Sequence, residues 1–314
     1  MDWSKTAIAI AITFFIAVTS VPGLGAEEKS ESSWEDTATV EADELKELTK
    51  KAKAGDSEAQ FDLGKKYEYG FGTPKDYAEA VKWYRKAAEQ ENADAQFAIG
   101  VMHSRGRGVK QNHVEAIKWY RMAAEQGNAY AQFNLGRMYY NGRGVKQDYS
   151  EAVKWWGKAA EQGNAYAQFS LGVMYSNGGG VKQDYAEATK WWRKAAEQGN
   201  AYAQALLGQM YIEGKGVKQD YSEAIKWFRK AAEQGHADAM FNLGVAYSTG
   251  QGVLQSKHAA VDWYYKAGLS YLKKGKKEDA LVALDRIEMA VHGHFLAKKL
   301  MGKIYGSEKD KFNE

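Results

Sequence analysis

The ten residues AAEQGNAYAQ occupy positions 123–132, and the same ten residues return at 159–168 and at 195–204. The three starting positions differ by 36, so the chain repeats one phrase at a fixed period. A period of tens of residues indicates stacked structural units, because one such unit is too small to bury its own apolar face. The repeat therefore predicts the fold class before any catalytic residue is sought.

The period extends beyond the identical phrase over six repeats, and each repeat predicts two helices, helix A and then helix B. The repeats begin at Gly55, Glu91, Gly127, Gly163, Gly199 and Gly235. In helix A of the third repeat an apolar stripe at helical spacing precedes NGRG, which ends the helix; its members are Ala131, Leu135, Gly136 and Tyr139. A glycine stands at the position of Gly136 in every repeat, so we expect the facing helix to pass too close for a side chain there.

Helix B of the third repeat starts after Asp148. Asp148 and Glu151 predict reciprocal capping, in which each side chain meets a free backbone donor. The helix then presents large rings beside small residues on one face: Ala152, Trp155, Trp156, Ala159 and Ala160. One aromatic doublet in each helix B favours core packing, although such a row of rings could also form a sugar-binding ladder.

Together, the motifs A-x-A-Q-x-x-L-G-x-M-Y, G-x-G-V-x-Q-D-Y-x-E-A-x-K-W and K-A-A-E-Q-G-N resemble the Sel1-like repeat, a relative of the tetratricopeptide repeat. The resemblance covers residues 55–270 and implies an all-α fold, a right-handed α-solenoid of stacked antiparallel helix pairs. It also implies an adaptor or scaffold role. The structural positions that match in the third repeat are Leu135, Gly136, Tyr139, Asp148, Trp155 and Ala159.

The flanks of the array predict three further segments. Residues 41–54 carry apolar residues at helical spacing and predict a helix that caps the first repeat. Residues 27–40 are rich in acids and predict a flexible leader. Residues 258–314 depart from the repeat pattern and predict a divergent tetratricopeptide-like module, closed by a last helix at about 294–305.

The first 26 residues have the pattern of a secretory signal peptide. A basic Lys5 precedes an apolar run of about a dozen residues, which is shorter than the roughly 20 needed to span a bilayer, and small residues follow Pro22. An uncleaved N-terminal anchor is the alternative. The chain has no cysteine, which excludes disulfides and thiolate metal sites. We therefore expect export to a bacterial periplasm or secretion.

Several kinds of chemistry find no support in the sequence. The glycine loops lack the preceding strand and the spacing of a phosphate loop, and neither G-x-S-x-G nor HExxH occurs. Only His292 and His294 lie close together among the histidines, and no acidic or cysteine ligand stands next to them. We therefore expect no catalytic residue, no cofactor, no metal and no enzyme activity; a hydrolase whose carboxylates converge across repeats is the less favoured alternative.

Helix B also carries basic residues at fixed offsets, which could form a basic ridge for an anionic lipid, glycan or nucleic acid. The members are Lys82, Lys118, Lys154, Lys190 and Lys226, together with Arg85, Arg121, Arg193 and Arg229. Interleaved glutamates and the predicted export favour a solvated outer face and argue against nucleic acid as a partner. A glycan or anionic-surface binder remains the alternative function.

Helix A is expected to line the concave face, as in tetratricopeptide relatives, and its outward residues are the candidates for partner binding. In the third repeat these are Tyr130, Phe133, Asn134, Arg137 and Tyr140, and the following repeats add Tyr166, Phe169 and Tyr202. Tyrosine and arginine commonly anchor interfaces, while the regular phenylalanines could equally pack between repeats. The sequence thus predicts an exported interaction module that binds a protein or peptide in this groove.

We expect the mature protein to begin close to Glu27, because the small residues around Gly25 and Ala26 form the processing site. Intact-mass measurement of the protein recovered from an expressing bacterium checks this. A mass that retains residues 1–26 would establish the uncleaved anchor instead.

Overall fold

The computed structural model describes residues 43–306, which form fifteen helices and no strand. The chain is therefore all-α, and its helices form the stacked pairs of an α-solenoid, as predicted. None of the helices in this range is long and apolar enough to cross a membrane. The predicted signal peptide and the leader at 27–40 lie outside the described residues. Of the helix predicted at 41–54, residues 43–53 are helical and form α1.

The helices follow the predicted alternation of A and B. The helices A are α2 (Ser57–Tyr69), α4 (Ala93–Arg105), α6 (Ala129–Asn141), α8 (Ala165–Asn177), α10 (Ala201–Glu213) and α12 (Ala237–Thr249). The helices B are α3 (Tyr77–Glu89), α5 (His113–Glu125), α7 (Tyr149–Glu161), α9 (Tyr185–Glu197), α11 (Tyr221–Glu233) and α13 (Lys257–Lys273). Two helices follow, α14 (Lys277–Ala290) and α15 (Phe295–Tyr305). The chain divides into two compact units, which we call the N-terminal unit, up to Ala167, and the C-terminal unit, from Gln168.

In each repeat an aromatic ring of helix B packs directly against a glycine of helix A. A Cβ atom added to Gly136 in α6 would stand 2.6 Å from Cδ1 of Trp156 in α7, closer than real Cβ atoms come. Trp156 is fully buried, and its Nε1 donates to the carbonyl oxygen of Phe133 at 3.1 Å. The same contact joins five other ring and glycine pairs: Tyr84 and Gly64, Tyr120 and Gly100, Trp192 and Gly172, Phe228 and Gly208, and Tyr264 and Gly244.

The glycines of the loop between α6 and α7 serve two different purposes. Gly142 ends α6 in the left-handed conformation, with φ of 65°, where a side chain is strained. Gly144 also has a positive φ, and a Cβ there would lie 2.6 Å from the backbone of His113 in the preceding helix pair. Gly142 therefore allows the chain to turn, while Gly144 allows the loop to contact the backbone of α5.

Of the two capping hydrogen bonds predicted for helix B, the bond to the Asp148 side chain is present and the bond to the Glu151 side chain is not. Asp148 Oδ1 accepts a hydrogen bond from the backbone N–H of Glu151 at 3.0 Å, as predicted. The return bond is absent, because Asp148 N donates to the carbonyl oxygen of Tyr139 at 3.0 Å and is thus already satisfied. The Glu151 carboxylate contacts Lys154 Nζ and Trp155 Nε1 instead.

Buried glutamines join one helix pair to the next within each unit. Gln132 Nε2 donates to the carbonyl oxygen of Ala124 at the end of the preceding helix B, at 3.0 Å. Its Oε1 accepts from Gln162 Nε2 at 2.8 Å. Both glutamines of the repeated phrase are therefore hydrogen-bonded side chains of the stack. Equivalent bonds link Gln90 to Gln60, Gln126 to Gln96, Gln198 to Gln168 and Gln234 to Gln204.

The C-terminal unit ends in three helices, α13, α14 and α15, which share one hydrophobic cluster with α12. Helix α13 is four residues longer than the other helices B, and Leu300 of α15 lies against Gly268 of α13, where an added Cβ would stand 2.5 Å from Leu300 Cδ2. Tyr271, Leu284 and Ile304 are among the buried residues of this cluster. The last helix, predicted at about 294–305, is capped by His294.

Replacing Gly136 by leucine should lower the free energy of unfolding by about 1–3 kcal/mol, because the added side chain must displace Trp156. Thermal unfolding followed by circular dichroism measures the effect. Gly157 in α7 provides the control, since nothing lies within 4 Å of a Cβ added there. Gly157→Ala should raise stability by up to about 1 kcal/mol through helix propensity alone. Equal melting curves for Gly136→Leu and wild type would contradict the close-approach interpretation.

Candidate protein-binding surfaces

In the N-terminal unit the outward face of α6 brings together the residues predicted from the third repeat. Tyr130 is 62% exposed, and Asn134, Arg137 and Tyr140 are half-buried on the same helix. Asn134 Nδ2 donates to the carbonyl oxygen of Tyr130 at 2.8 Å, so the amide stays close to the helix. The face thus combines one exposed ring with polar side chains, the composition of many interface anchors.

In three repeats the phenylalanine of helix A packs against the tyrosine of the next helix A. The ring of Phe97 lies 6.0 Å from that of Tyr130, and the ring of Phe133 lies 5.9 Å from that of Tyr166, which is 46% exposed. Phe133 is half-buried and also stacks on Trp156 at 6.5 Å. The phenylalanines therefore pack between repeats, one of the two interpretations that the sequence left open, and they hold the exposed tyrosines in place.

Arg137 lies in a positively charged environment on this face. Burial lowers the pKa of its guanidinium below the ordinary value, and the nearby cations Arg105 and Arg143 act in the same direction. Tyr120 lies close enough to interact, and burial raises the pKa of that tyrosine to about 12. No ion pair involving Arg105, Arg137 or Arg143 is found within residues 43–306. An anionic group of a partner would therefore be stabilised here.

The C-terminal unit presents its predicted residues differently. Phe169 is only 7% exposed, so the expectation that it contacts a partner does not hold: its ring lies 6.3 Å from that of Tyr202 inside the unit. Tyr202 is half-buried, and its ring meets His236 edge-on at 5.0 Å. Of the two residues, Tyr202 retains an accessible edge.

Helix B presents an outer face on which the ridge lysines pair with glutamates. Each of the five ridge lysines lies within 2.6–3.1 Å of the glutamate three residues earlier, as Lys154 does with Glu151 at 3.1 Å. A second lysine covers the first ring of the doublet, as Lys158 does over Trp155 at 4.5 Å. Trp155 and Trp156 are buried, so the doublet of the third repeat packs in the core, and the ridge lysines carry less free positive charge than the sequence indicates.

Sequence reasoning missed a buried charged group in the first repeat. Glu68 is buried at the end of α2, where its carboxylate accepts a hydrogen bond from the hydroxyl of Tyr84 at 2.7 Å. Arg107 Nη1 lies 4.0 Å from the other carboxylate oxygen. Burial, and then the charge of Glu68, raises the pKa of Tyr84. The sequence feature that could have revealed this group is Glu68 itself, an acid on an otherwise uncharged stripe of helix A.

The six helix pairs coincide with six matches to one family model. The Sel1 repeat model matches residues 57–92, 93–128, 129–164, 165–200, 201–236 and 237–270. This chain belongs to the Sel1 repeat family. Repeats of this and the related tetratricopeptide type generally mediate protein–protein interaction and are typically non-catalytic.

Two solved Sel1 structures are similar to this Sel1 repeat protein. One is a protective antigen present in uropathogenic Escherichia coli strains, with 34% identity and a TM-score of 0.70; the match covers 85% of this chain and 60% of the antigen. The other is a Sel1 repeat protein from Oxalobacter formigenes, with 36% identity and a TM-score of 0.61 over 71% of this chain and 98% of that one. The present chain thus spans less than two thirds of the antigen. No curated protein matches at a significant level.

The described part of this Sel1 repeat protein contains no group of three or more histidine, aspartate or glutamate side chains that could hold a metal ion. Carboxylates at the starts of the helices are engaged in caps, as Asp56 and Asp76 are.

His236 is a buried histidine at a position where four other repeats carry asparagine. It caps α12 by accepting the backbone N–H of Ala239 on Nδ1 at 3.4 Å. Burial lowers its pKa from 6.5 to about 4; the carboxylate of Asp238 opposes this shift, and the cations of Lys274 and Lys276 add to it. The folded protein therefore favours the neutral imidazole.

Stability should fall as the pH decreases from about 6.5 to about 4, because the unfolded chain binds a proton at His236 that the folded chain does not. The loss approaches about 3 kcal/mol and levels off below the folded pKa. His236→Asn, which restores the asparagine of the other repeats, should flatten the dependence. Melting temperatures between pH 7 and pH 4 test this, with the exposed His258→Asn as the matched control. Parallel curves for wild type and His236→Asn would exclude His236 as the cause.

Proposed function

We propose that this Sel1 repeat protein is an exported adaptor that binds a segment of a partner protein on the helix A face of its N-terminal unit. The observation that carries the proposal is the pair of exposed tyrosines, Tyr130 and Tyr166, each supported by the phenylalanine of the preceding repeat. A rigid aromatic ring that is already held in place loses little conformational entropy when it is covered by a partner. Family membership favours a protein or peptide as that partner.

Arg137 adds specificity to the proposed surface. It lies on α6 seven residues after Tyr130, two helical turns along the same face, and interacts with Arg105 and Arg143. A partner segment that places an acidic side chain near Arg137 and apolar side chains against the tyrosines fits this pattern. Tyr202 of the C-terminal unit is proposed as a further contact in its own right.

Export to the periplasm or the exterior is the second part of the proposal, and it rests on the signal-peptide pattern of residues 1–26. A partner would then be an envelope or secreted protein. The glycan-binding alternative is less favoured because the ridge lysines pair with glutamates. No observation specifically favours the hydrolase alternative.

Tyr130→Ala combined with Tyr166→Ala should abolish capture of the partner from a solubilised envelope extract and weaken the identified complex by about tenfold or more. The full-length chain serves as bait, mass spectrometry identifies the captured protein, and calorimetry then measures the affinity. Tyr305→Ala is the matched control, since Tyr305 is 42% exposed at the end of α15. Equal helicity of all variants is checked first.

A partner that binds wild type and the double variant equally would exclude the tyrosine face as the binding surface. Capture of anionic glycan alone, with no protein, would favour the ridge alternative. That alternative predicts loss of capture when Lys154 and Lys190 are neutralised together.

A further inference from the structure

A surface cavity of about 220 Å³ lies in the C-terminal unit between α12, α13 and α14. Its lining includes two hydroxyl groups, from Ser248 and Tyr264, and two cationic side chains, from Lys257 and Arg286. Met289, which is 70% exposed, and Ala290 form the apolar side. This volume holds a carboxylate with several flanking atoms, since one water occupies about 30 Å³ in the liquid.

In the first repeat, the position equivalent to this cavity is occupied by a side chain of the protein itself. There the buried Glu68 carboxylate accepts the Tyr84 hydroxyl at 2.7 Å and lies 4.0 Å from Arg107. Arg107 comes from the following repeat and also lies over the ring of Tyr77, 5.5 Å from its centre. A tyrosine hydroxyl and an arginine thus hold a carboxylate that the chain itself supplies.

The cavity occupies the equivalent place in the sixth repeat, five periods further along the chain. Tyr264 stands at the position of Tyr84, and its ring lies against Gly244 as that of Tyr84 lies against Gly64. Ser248 stands at the position of Glu68, and its Oγ lies 3.4 Å from the Tyr264 hydroxyl. Because serine is shorter than glutamate, the space that a carboxylate fills in the first repeat is open here.

The site in the first repeat and the cavity in the sixth also differ in charge. Glu68 balances Arg107 in the first repeat, whereas the cavity has Arg286 from the following helix pair and Lys257 at the position of Tyr77. Within residues 43–306 neither Arg286 nor Lys257 takes part in an ion pair. Glu288 on the same helix is engaged with His292 and with the backbone N–H of Gly293. The cavity therefore has two positive charges and no carboxylate of its own.

We propose that this cavity binds a carboxylate group of a peptide. Arg286 and Lys257 pair with the carboxylate oxygens, the Tyr264 hydroxyl donates to one of them, and Met289 covers the adjoining apolar atoms. Ser248 Oγ donates to the carbonyl oxygen of Val245 at 2.8 Å, which leaves its lone pairs free to accept the Tyr264 proton when the cavity is empty. The proposal goes beyond the tyrosine face of the N-terminal unit and does not depend on it.

The first test follows the methyl group of Met289 by NMR in the full-length chain labelled with ¹³C-methyl methionine, assigned with Met289→Leu. The probe acetyl-Ala-Glu-Ala-amide should shift this signal saturably, whereas acetyl-Ala-Gln-Ala-amide should not. Acetyl-Ala-Ala-Ala with a free C-terminal carboxylate distinguishes a terminal from a side-chain carboxylate. Arg286→Gln should weaken binding of the effective probe by about tenfold or more. Lys298→Gln removes an exposed charge of α15 outside the cavity and should leave binding unchanged.

The second test fills the cavity from within. Ser248→Glu recreates the arrangement of the first repeat, so it should abolish probe binding and raise the melting temperature by about 2 °C or more relative to Ser248→Gln, which has the same size without the charge. The increase should disappear when Arg286→Gln is added.

Two outcomes would overturn the proposal. One is an equal shift of the Met289 signal by the glutamate and glutamine probes. The other is the absence of any carboxylate-dependent shift together with equal melting temperatures for Ser248→Glu and Ser248→Gln. Since neither test involves Tyr130 or Tyr166, a failure here leaves the proposed adaptor surface untouched, and a failure of that surface leaves this cavity untouched.

Discussion

The fold depends on the contact between an aromatic ring of helix B and a glycine of helix A. In each helix pair the second aromatic residue of helix B contacts helix A where a glycine leaves no side chain, as Trp156 does at Gly136. The glycine costs about 1 kcal/mol of helix propensity, but the close approach that it allows buries a ring completely, and burial of a large apolar side chain contributes more than that. The ring and the glycine therefore recur together in all six repeats.

Polar contacts determine how one pair follows the next within each unit. A buried amide without partners would be costly, so Gln132 has to find both the carbonyl of Ala124 and the amide of Gln162. The glutamine bonds thus favour this register between consecutive pairs, while the rings contribute buried apolar surface within each pair.

Function can vary where this framework does not constrain the side chain. Helix A carries tyrosine, arginine or an acid at its outward positions without disturbing the ring and glycine contacts. The end of helix A varies in a coupled way: a chain carboxylate meets tyrosine and arginine in the first repeat, and serine replaces that carboxylate in the sixth, beside a cavity with two cations. Differences at a few positions thereby give a structural ion pair in the first repeat and a candidate binding site in the sixth.

The helix pairs, the cap at Asp148 and the close approach of a neighbouring helix to the glycine of helix A follow from the sequence alone, because each depends on spacing along one or two helices. The burial of Phe169, the contact of Glu151 with Lys154 and the cavity shared by Ser248, Tyr264 and Arg286 become apparent only once the helices are packed. The physical reason is separation along the chain. Whether an outward side chain is covered, or a charge balanced, depends on residues one or two helices away, whose distances no local pattern encodes.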